Sequence, residues 1–241
     1  MLLKLLLTAL PLAVFISAFP QSGQDTAFTS AAIKHTLQLY RDGIGAQARL
    51  YNGSKYSPPQ QTFEQHPYFL SVDWLEGDVY YDGELFRQVP LMLDLSNGQL
   101  ITEHYSNGQS LQLVEDKVHH FSIAGHYFEN IRNESVGNSL PASGFYEILY
   151  GGNTKVIVKR QKLIHDEIVN TVIERTFDEK NRYFIFKDGV FHPVKTKASV
   201  LKLLENKKQQ LKKSLRQNRL RFKDNREAVL KSLAEYYDAL R

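Results

Sequence analysis

The sequence predicts a mainly β protein of the α+β type: an antiparallel β-meander, arranged as an open barrel or a sandwich-like sheet, with a short N-terminal helix and a basic C-terminal tail of two or three helices. The pairs Asp82-Gly83, Asn97-Gly98 and Asn107-Gly108 recur at intervals of ten to fifteen residues. Such pairs tolerate the positive φ angles of tight hairpin turns. The chain also has 13 Tyr and 14 Phe, and aromatic residues favour strands.

The elements follow in order along the chain. Residues 29–40 have a weak helical rhythm and predict the short N-terminal helix, and Ala46–Tyr51 predicts a first strand. From Asp78 to about Val194 the pattern is β throughout, with roughly ten strands joined by short connections. Within this stretch, Asp166–Phe177 predicts one long strand, and Asp188-Gly189 predicts a turn into Val190–Val194.

From Lys195 onward, apolar residues recur with a helical period. Either Thr196 or Lys197 is predicted to open the first helix, Asn206 to cap a second, and Asp224 to cap a third. Residues 195–241 contain fourteen Lys or Arg and five Asp or Glu, a net charge of +9, whereas the whole chain has a net charge of +4. The basic character therefore belongs to the tail.

The N-terminus predicts export. Met1–Lys4 supplies a positive start, Leu5–Ile16 is uncharged and mostly apolar, and Ser17-Ala18 offers small residues for cleavage. A membrane anchor is the alternative, but a spanning helix needs about 20 apolar residues, and this run is shorter and contains Pro11. We expect cleavage after residue 18, no transmembrane segment in the mature chain, and a periplasmic or secreted location.

This organisation predicts a signal peptide over residues 1–18, a β-rich domain over 19–194, and a helical tail over 195–241 that packs on the same domain. The chain has no cysteine, which excludes disulfides, thiol nucleophiles and cysteine-ligated metals. The serine-hydrolase elbow, the phosphate-binding loop, the dinucleotide fingerprint and the His-Glu-x-x-His pair are also missing. The sequence therefore predicts no cofactor and favours binding over catalysis, without deciding whether catalysis occurs.

Four segments of the β-rich part and one of the tail carry a family resemblance. They are Leu50–Tyr56, Gly77–Gly83, Val89–Leu95, Lys187–Val194 and the stretch from Leu203 to Tyr237. In these segments the chain resembles a family of uncharacterised exported proteins common in Bacteroidetes. The resemblance covers nearly all of the mature chain. It implies bacterial origin and export, and it implies no activity and no functional residue.

Trp74, Tyr80 and Tyr81 are candidates for a ligand cleft because acidic residues surround them. Those acidic residues are Asp73, Glu76, Asp78 and Asp82. Aromatic rings beside carboxylates line many sugar-binding clefts, and glycoside hydrolysis needs two carboxylates about 5 to 10 Å apart. The alternative, which we favour, is that the rings pack in the sheet while the acids occupy turns.

His119, His120 and His126, with His104 on a nearby predicted strand, are candidates for a metal site because imidazole is a common metal ligand. In an unbroken strand His120 and His126 would share a face. Gly125 between them is expected to bend the chain and spoil that register. We therefore interpret these histidines as sheet residues and predict no metal site.

The tail suggests a surface for anionic partners. Its candidate residues are Lys207, Lys208, Lys212, Lys213, Arg216 and Arg219, with Arg221 and Lys223 beyond them. These cations suit lipopolysaccharide, a phospholipid surface or another envelope component, and export makes nucleic acid an unsuitable partner. A solvated helix face is the alternative interpretation.

Three functional hypotheses remain. We prefer an exported, soluble, non-enzymatic binding module of the bacterial envelope, whose partner is an envelope protein or an anionic envelope component. The second hypothesis is an envelope-associated protein held on anionic surfaces by its basic tail. The third is a glycan hydrolase that uses carboxylates near Trp74.

Overall fold

A computed structural model describes residues 49–59, 65–169 and 172–240, together with Thr36. The chain divides into two units, residues 1–45 and 46–241, and all elements described below belong to the second. The predicted signal peptide lies outside the described residues, as does the predicted N-terminal helix except for Thr36, which is helical.

Thirteen strands and three helices occupy the described residues. The strands are β1 (Ser54–Lys55), β2 (Leu75–Tyr81), β3 (Glu84–Asp94), β4 (Gln99–Glu103), β5 (Ser110–Gln112), β6 (Val118–Ile123), β7 (His126–Ile131), β8 (Gly144–Tyr150), β9 (Val156–Lys159), β10 (Lys162–Val169), β11 (Val172–Glu179), β12 (Arg182–Lys187) and β13 (Val190–Val194). The helices are α1 (Lys197–Leu203), α2 (Lys208–Gln217) and α3 (Arg226–Ala239). The predicted mainly β fold with a helical C-terminal tail is confirmed.

Eleven strands form one antiparallel sheet in the order β1-β5-β4-β3-β2-β6-β7-β8-β9-β12-β13, which is not closed into a barrel. Strands β10 and β11 form a separate antiparallel hairpin. Three pairings depart from a simple meander: β1 pairs with β5, β12 pairs with β9, and after β5 the chain returns to place β6 beside β2. The backbone N–H of Asp82 donates to the Lys117 carbonyl at 2.9 Å and fixes this return.

The hairpin turns lie where the sequence predicts them. Asp82 and Gly83 have φ angles of 51° and 86° between β2 and β3, and Asp188 and Gly189 have φ angles of 53° and 83° between β12 and β13. Both residues of a type I′ turn need positive φ, which Asp and Gly tolerate better than other residues. Local turn chemistry therefore sets these strand boundaries.

Two strand predictions were wrong. Residues Arg49–Tyr51, predicted to end a strand, form a 3-10 turn. The single strand predicted over Asp166–Phe177 is instead the β10–β11 hairpin. Its two arms have similar β-branched sequences, and residues 170–171 between them include neither Gly nor Pro. The turn therefore leaves no local signal of the kind that marks the other hairpins.

The helix caps were predicted with mixed success. Thr196 caps α1, because its hydroxyl accepts the Ser199 backbone N–H at 3.2 Å. The cap of α3 is Asn225 rather than Asp224, and its Oδ1 accepts the Ala228 N–H at 2.9 Å. Asn206 does not cap α2, because a 3-10 turn over Glu205–Lys207 leads directly into that helix.

One row of paired, buried side chains crosses seven strands of the sheet on one face. From β2 to β13 its members are Val79, Phe121, Phe128, Glu147, Val158, Tyr183 and Val194. The rings of Phe121 and Phe128 stack with centroids 4.8 Å apart. Six members are apolar or aromatic, so Glu147 is a charge in the middle of an otherwise hydrophobic row.

The three helices cover the β9–β13 end of this row. Val200 of α1, Leu211 and Leu215 of α2, and Leu233 and Tyr237 of α3 are buried in one cluster with the sheet residues there. Burial of such side chains stabilises the folded state by about 1.5–3 kcal/mol each. Within the described residues, no helix combines the length and the apolar character needed to cross a membrane.

Candidate functional site

Helix α2 separates its apolar and cationic residues. Leu211 and Leu215 are buried in the cluster shared with α3 and the sheet, whereas the cations of α2 and its flanks are exposed or half-buried. We call these cations the basic strip. Its six members are Lys207, Lys208, Lys212, Lys213, Arg216 and Arg219.

Within the described residues, none of the six cations forms an ion pair with a carboxylate. Neighbouring cations do form them: Arg221 lies 3.6 Å from Asp224, and Lys231 lies 3.9 Å from Glu235. Helix α2 contains no acidic residue. Lys207 and Lys208 stand at its start, where the helix dipole disfavours positive charge. Arg216 stands in the last turn, where the same dipole favours a cation, so helix stability accounts for Arg216 but not for Lys207 and Lys208.

The aromatic residues predicted to line a cleft do not come together. The side chain of Tyr81 is fully buried in the hydrophobic core, and its neighbour Tyr80 lies on the opposite face of β2. Trp74 packs instead against a separate cluster that contains Met92 and Ile101. Successive residues of a strand alternate between faces, so adjacent tyrosines could not both enter one cleft.

The acidic residues near Trp74 are likewise separated. Asp73 accepts a hydrogen bond from Ser71 just before β2, and Asp82 follows β2 and pairs with Lys117 at 3.1 Å. A strand rises about 3.3 Å per residue, so these two carboxylates stand at opposite ends of a strand more than about 20 Å long. Asp78 accepts the Gln88 N–H at 3.0 Å within a β-bulge. This arrangement does not support the glycan-hydrolase hypothesis.

The candidate metal ligands are divided between the two faces of the sheet. A turn at Ala124-Gly125 pairs His126 with Ile123 and puts it on the core side, whereas His120 stacks on Tyr80 on the other side. His119 and His120 are neighbours, with their Nδ1 atoms 3.0 Å apart. Burial and the adjacent His119 lower the pKa of His120.

His104 lies elsewhere, where its ring packs on Tyr51 and its Nδ1 accepts the Ser106 N–H. Among the described residues, no group of three or more His, Asp or Glu side chains is arranged to hold a metal ion.

Sequence reasoning missed a buried charge network centred on Glu147. His126 Nδ1 lies 2.5 Å from Glu147 Oε1, and the Arg160 guanidinium donates to the other carboxylate oxygen. Arg160 also donates to Glu227 at the start of α3 at 3.0 Å, and the Tyr183 hydroxyl donates to the same carboxylate at 3.0 Å. The network ties α3 to strands β7, β8 and β12.

The surroundings shift the titration of two members of this network. Burial lowers the pKa of Arg160, but the hydrogen bonds to Glu147 and Glu227 outweigh it, so the net shift is upward. Burial and the negative charge of Glu227 raise the pKa of Tyr183 to about 12. Arg160 thus stays charged and Tyr183 stays protonated over the physiological range. The one available sequence signal was a glutamate in the apolar strand Gly144–Tyr150.

A small cavity of about 250 Å³ opens beside His126 and is also lined by His66, Arg160, Lys162 and Glu179. Its lining residues include no hydroxyl or thiol, so it offers no side-chain nucleophile of the serine or cysteine type. Glu147 and Arg160 mainly neutralise each other inside the core.

Comparisons of the chain with protein-family models, with curated proteins and with solved structures found no match. The resemblance to exported proteins of Bacteroidetes therefore stays a prediction, as do the signal peptide and export. Of the predicted sites, the basic strip is the one whose residues lie together, on and beside α2.

Proposed function

We propose that this chain is an exported, non-enzymatic binding module of the bacterial envelope that rests on anionic lipid through the basic strip. One observation carries the proposal: six cations without a carboxylate partner among the described residues lie on or beside a helix whose apolar side is already packed. A charge left unpaired on a rigid element is available to an outside anion.

The charge distribution of the chain supports an orientation on such a surface. Residues 195–241 have a net charge of +9, and the remaining residues have a net charge of −5. An anionic bilayer attracts the first part and repels the second. Each Lys or Arg near an anionic leaflet contributes about 1 kcal/mol of binding free energy.

The packing of α2 determines the kind of binding. Interfacial helices normally insert their apolar face among the acyl chains. In α2 that face includes Leu211 and Leu215, which are fully buried against α3 and the sheet. Attachment is therefore electrostatic, without insertion, and salt should release it because the Debye length falls to about 3 Å near 1 M.

Vesicle co-sedimentation tests the proposal with two variants matched in charge. The strip variant combines Lys208→Gln, Lys212→Gln, Lys213→Gln and Arg216→Gln. The control variant combines Lys55→Gln, Lys197→Gln, Lys202→Gln and Lys231→Gln, all of which are exposed in the fold. The wild type and the control should bind vesicles containing phosphatidylglycerol and ignore vesicles of phosphatidylcholine alone.

The strip variant should bind anionic vesicles more weakly by on the order of a thousandfold, from four cations at about 1 kcal/mol each. Equal weakening in the control variant would mean that net charge matters and the strip does not. Binding that persists at about 1 M salt would also contradict the proposal, since it would require insertion.

Export needs its own test, because vesicle binding does not depend on it. The full-length chain is expressed in a Gram-negative host, the cells are fractionated, and the intact mass of the recovered protein is measured. We expect a periplasmic protein whose mature form begins near Phe19. A cytoplasmic protein that retains Met1 would refute export.

A further inference from the structure

A second cationic feature lies apart from the basic strip, at the sheet edge next to α3. A groove of about 880 Å³ runs between the start of β12, the end of β13, residues 139–141 and the start of α3. This volume lies within the usual range of small-molecule sites. We call it the cationic groove.

The charges that line the groove are of one sign. Lys180, Arg182, Lys195 and Arg226 line it, and its lining includes no acidic residue. Among the described residues, none of the four forms an ion pair with a carboxylate. Glu227 is next to Arg226 in the chain, but its carboxylate accepts from Arg160 and from the Tyr183 hydroxyl instead. The positive potential of the groove is therefore not neutralised by the protein.

Arg226 is held in place by two aromatic rings. Its guanidinium carbon lies 5.3 Å from the ring centroid of Tyr183 and 5.3 Å from that of Phe222. A guanidinium between two rings retains its hydrogen-bond donors for an anion while losing much of its conformational freedom. Such preorganisation lowers the entropic cost of binding.

Apolar residues line the same groove between the cations. Pro141 and Pro193 are exposed and give the groove its apolar surface, and the buried Leu140 and Phe184 lie in its wall. An inorganic ion would leave this surface unused. A ligand that combines an anionic group with an apolar body would use both.

We propose that the cationic groove binds a small organic anion, in which a carboxylate, sulfonate or phosphate is attached to an apolar body. The anionic group lies against Arg226 and the neighbouring cations, and the apolar body covers Pro141 and Pro193. The groove and the basic strip use different residues, so this inference stands independently of lipid binding by α2.

The fluorescent probe 1-anilinonaphthalene-8-sulfonate tests the inference, because it joins a sulfonate to aromatic rings. The groove variant is Lys195→Gln with Arg226→Gln. A second groove variant, Lys180→Gln with Lys195→Gln, alters exposed residues only and leaves the ring contacts of Arg226 intact. The matched control is Lys212→Gln with Lys213→Gln on the basic strip, which removes the same charge.

We expect saturable binding of the probe to the wild type and to the control. Either groove variant should weaken it by about ten- to a hundredfold, the usual effect of losing charge-assisted hydrogen bonds. Dodecyl phosphate below its micelle concentration should displace the probe, and inorganic phosphate at the same concentration should not. Far-UV circular dichroism and urea unfolding establish that each variant is folded.

Probe binding that both groove variants leave unchanged would overturn the inference, as would equal weakening in the control. Displacement by inorganic phosphate as effective as that by dodecyl phosphate would overturn the assignment of an apolar body. The groove variants should keep vesicle binding within severalfold of the wild type, so failure of one proposal is distinguishable from failure of the other.

Discussion

Replacing Arg160 with methionine should cost the protein a large part of its stability. The Arg160 side chain is 8% exposed and contacts Glu147, which is 5% exposed, and Glu227. Without the guanidinium, Glu147 keeps only its contact with the His126 ring within the network, and Glu227 keeps the Tyr183 hydroxyl. Leaving one partner of a buried ion pair uncompensated costs about 3–5 kcal/mol, out of a typical total of about 5–15 kcal/mol.

The measurement is urea unfolding followed by circular dichroism and by the fluorescence of Trp74. A matched control is Lys155→Met, which removes a half-buried pair with Glu129 at 3.0 Å and should cost no more than about 1 kcal/mol. The double variant Glu147→Leu with Arg160→Met should be more stable than Arg160→Met alone, because it removes the orphaned carboxylate together with its partner.

Two results would refute this reasoning. If Arg160→Met lowered the free energy of unfolding no more than Lys155→Met does, the network would be dispensable. The loss in the free energy of unfolding of the double variant could also equal the sum of the losses of Glu147→Leu alone and Arg160→Met alone. In that case Glu147 and Arg160 would stabilise the fold independently and not through each other.

Two further predictions concern packing and pH. A Cβ on Gly77 would lie 2.1 Å from the Ser122 carbonyl oxygen on the paired strand, so Gly77→Ala should cost at least about 2 kcal/mol in urea unfolding. In Gly151→Ala the added Cβ meets only a distant methyl group, so the free energy of unfolding should stay within about 0.5 kcal/mol of the wild-type value. If Gly77→Ala and Gly151→Ala cost the same, the close approach of β2 and β6 would be contradicted. Burial raises the pKa of Tyr146 to about 12, whereas an unfolded tyrosine titrates near about 10. Between these values the unfolded state binds fewer protons, so the contribution of Tyr146 is complete below about pH 10 and is lost as the pH rises toward about 12. Unfolding curves at about pH 9, 10 and 11 should show that Tyr146→Phe flattens the alkaline decline by up to about 1.4 kcal/mol per pH unit, and an unchanged slope would count against a buried phenol.

The parts of the fold that depend on local chemistry were predictable from the sequence. Asp82-Gly83 and Asp188-Gly189 fix their turns through their own φ preferences. The helix signals of the tail were equally local, and the cap of α3 was misplaced by a single residue. The basic strip belongs to the same class, since its cations are close together in sequence.

The parts that depend on distant residues were not predictable. Strand β6 pairs with β2 along a ladder from Gly77 and Ile123 to Tyr81 and Val118, and no local pattern in either segment predicts this pairing. Arg160 and Glu227 are 67 residues apart and meet only when α3 packs on the sheet. The candidate cleft met a simpler obstacle, since Tyr80 and Tyr81 are consecutive strand residues and face opposite sides of the sheet; the favoured alternative, in which the rings pack in the sheet, agrees with the burial of Tyr81.

Helix α3 follows in the chain the strands that it covers, which affects the order of folding during synthesis. Strands β9, β12 and β13 emerge first, yet the face they share stays only partly covered until the 14 residues of Arg226–Ala239 arrive with Val229, Leu230 and Leu233. This part of the core therefore stays incomplete until α3 has been synthesised. For a protein that we propose is exported, such a delay is useful, because a late-closing core keeps the emerging chain loose enough to thread through a membrane channel.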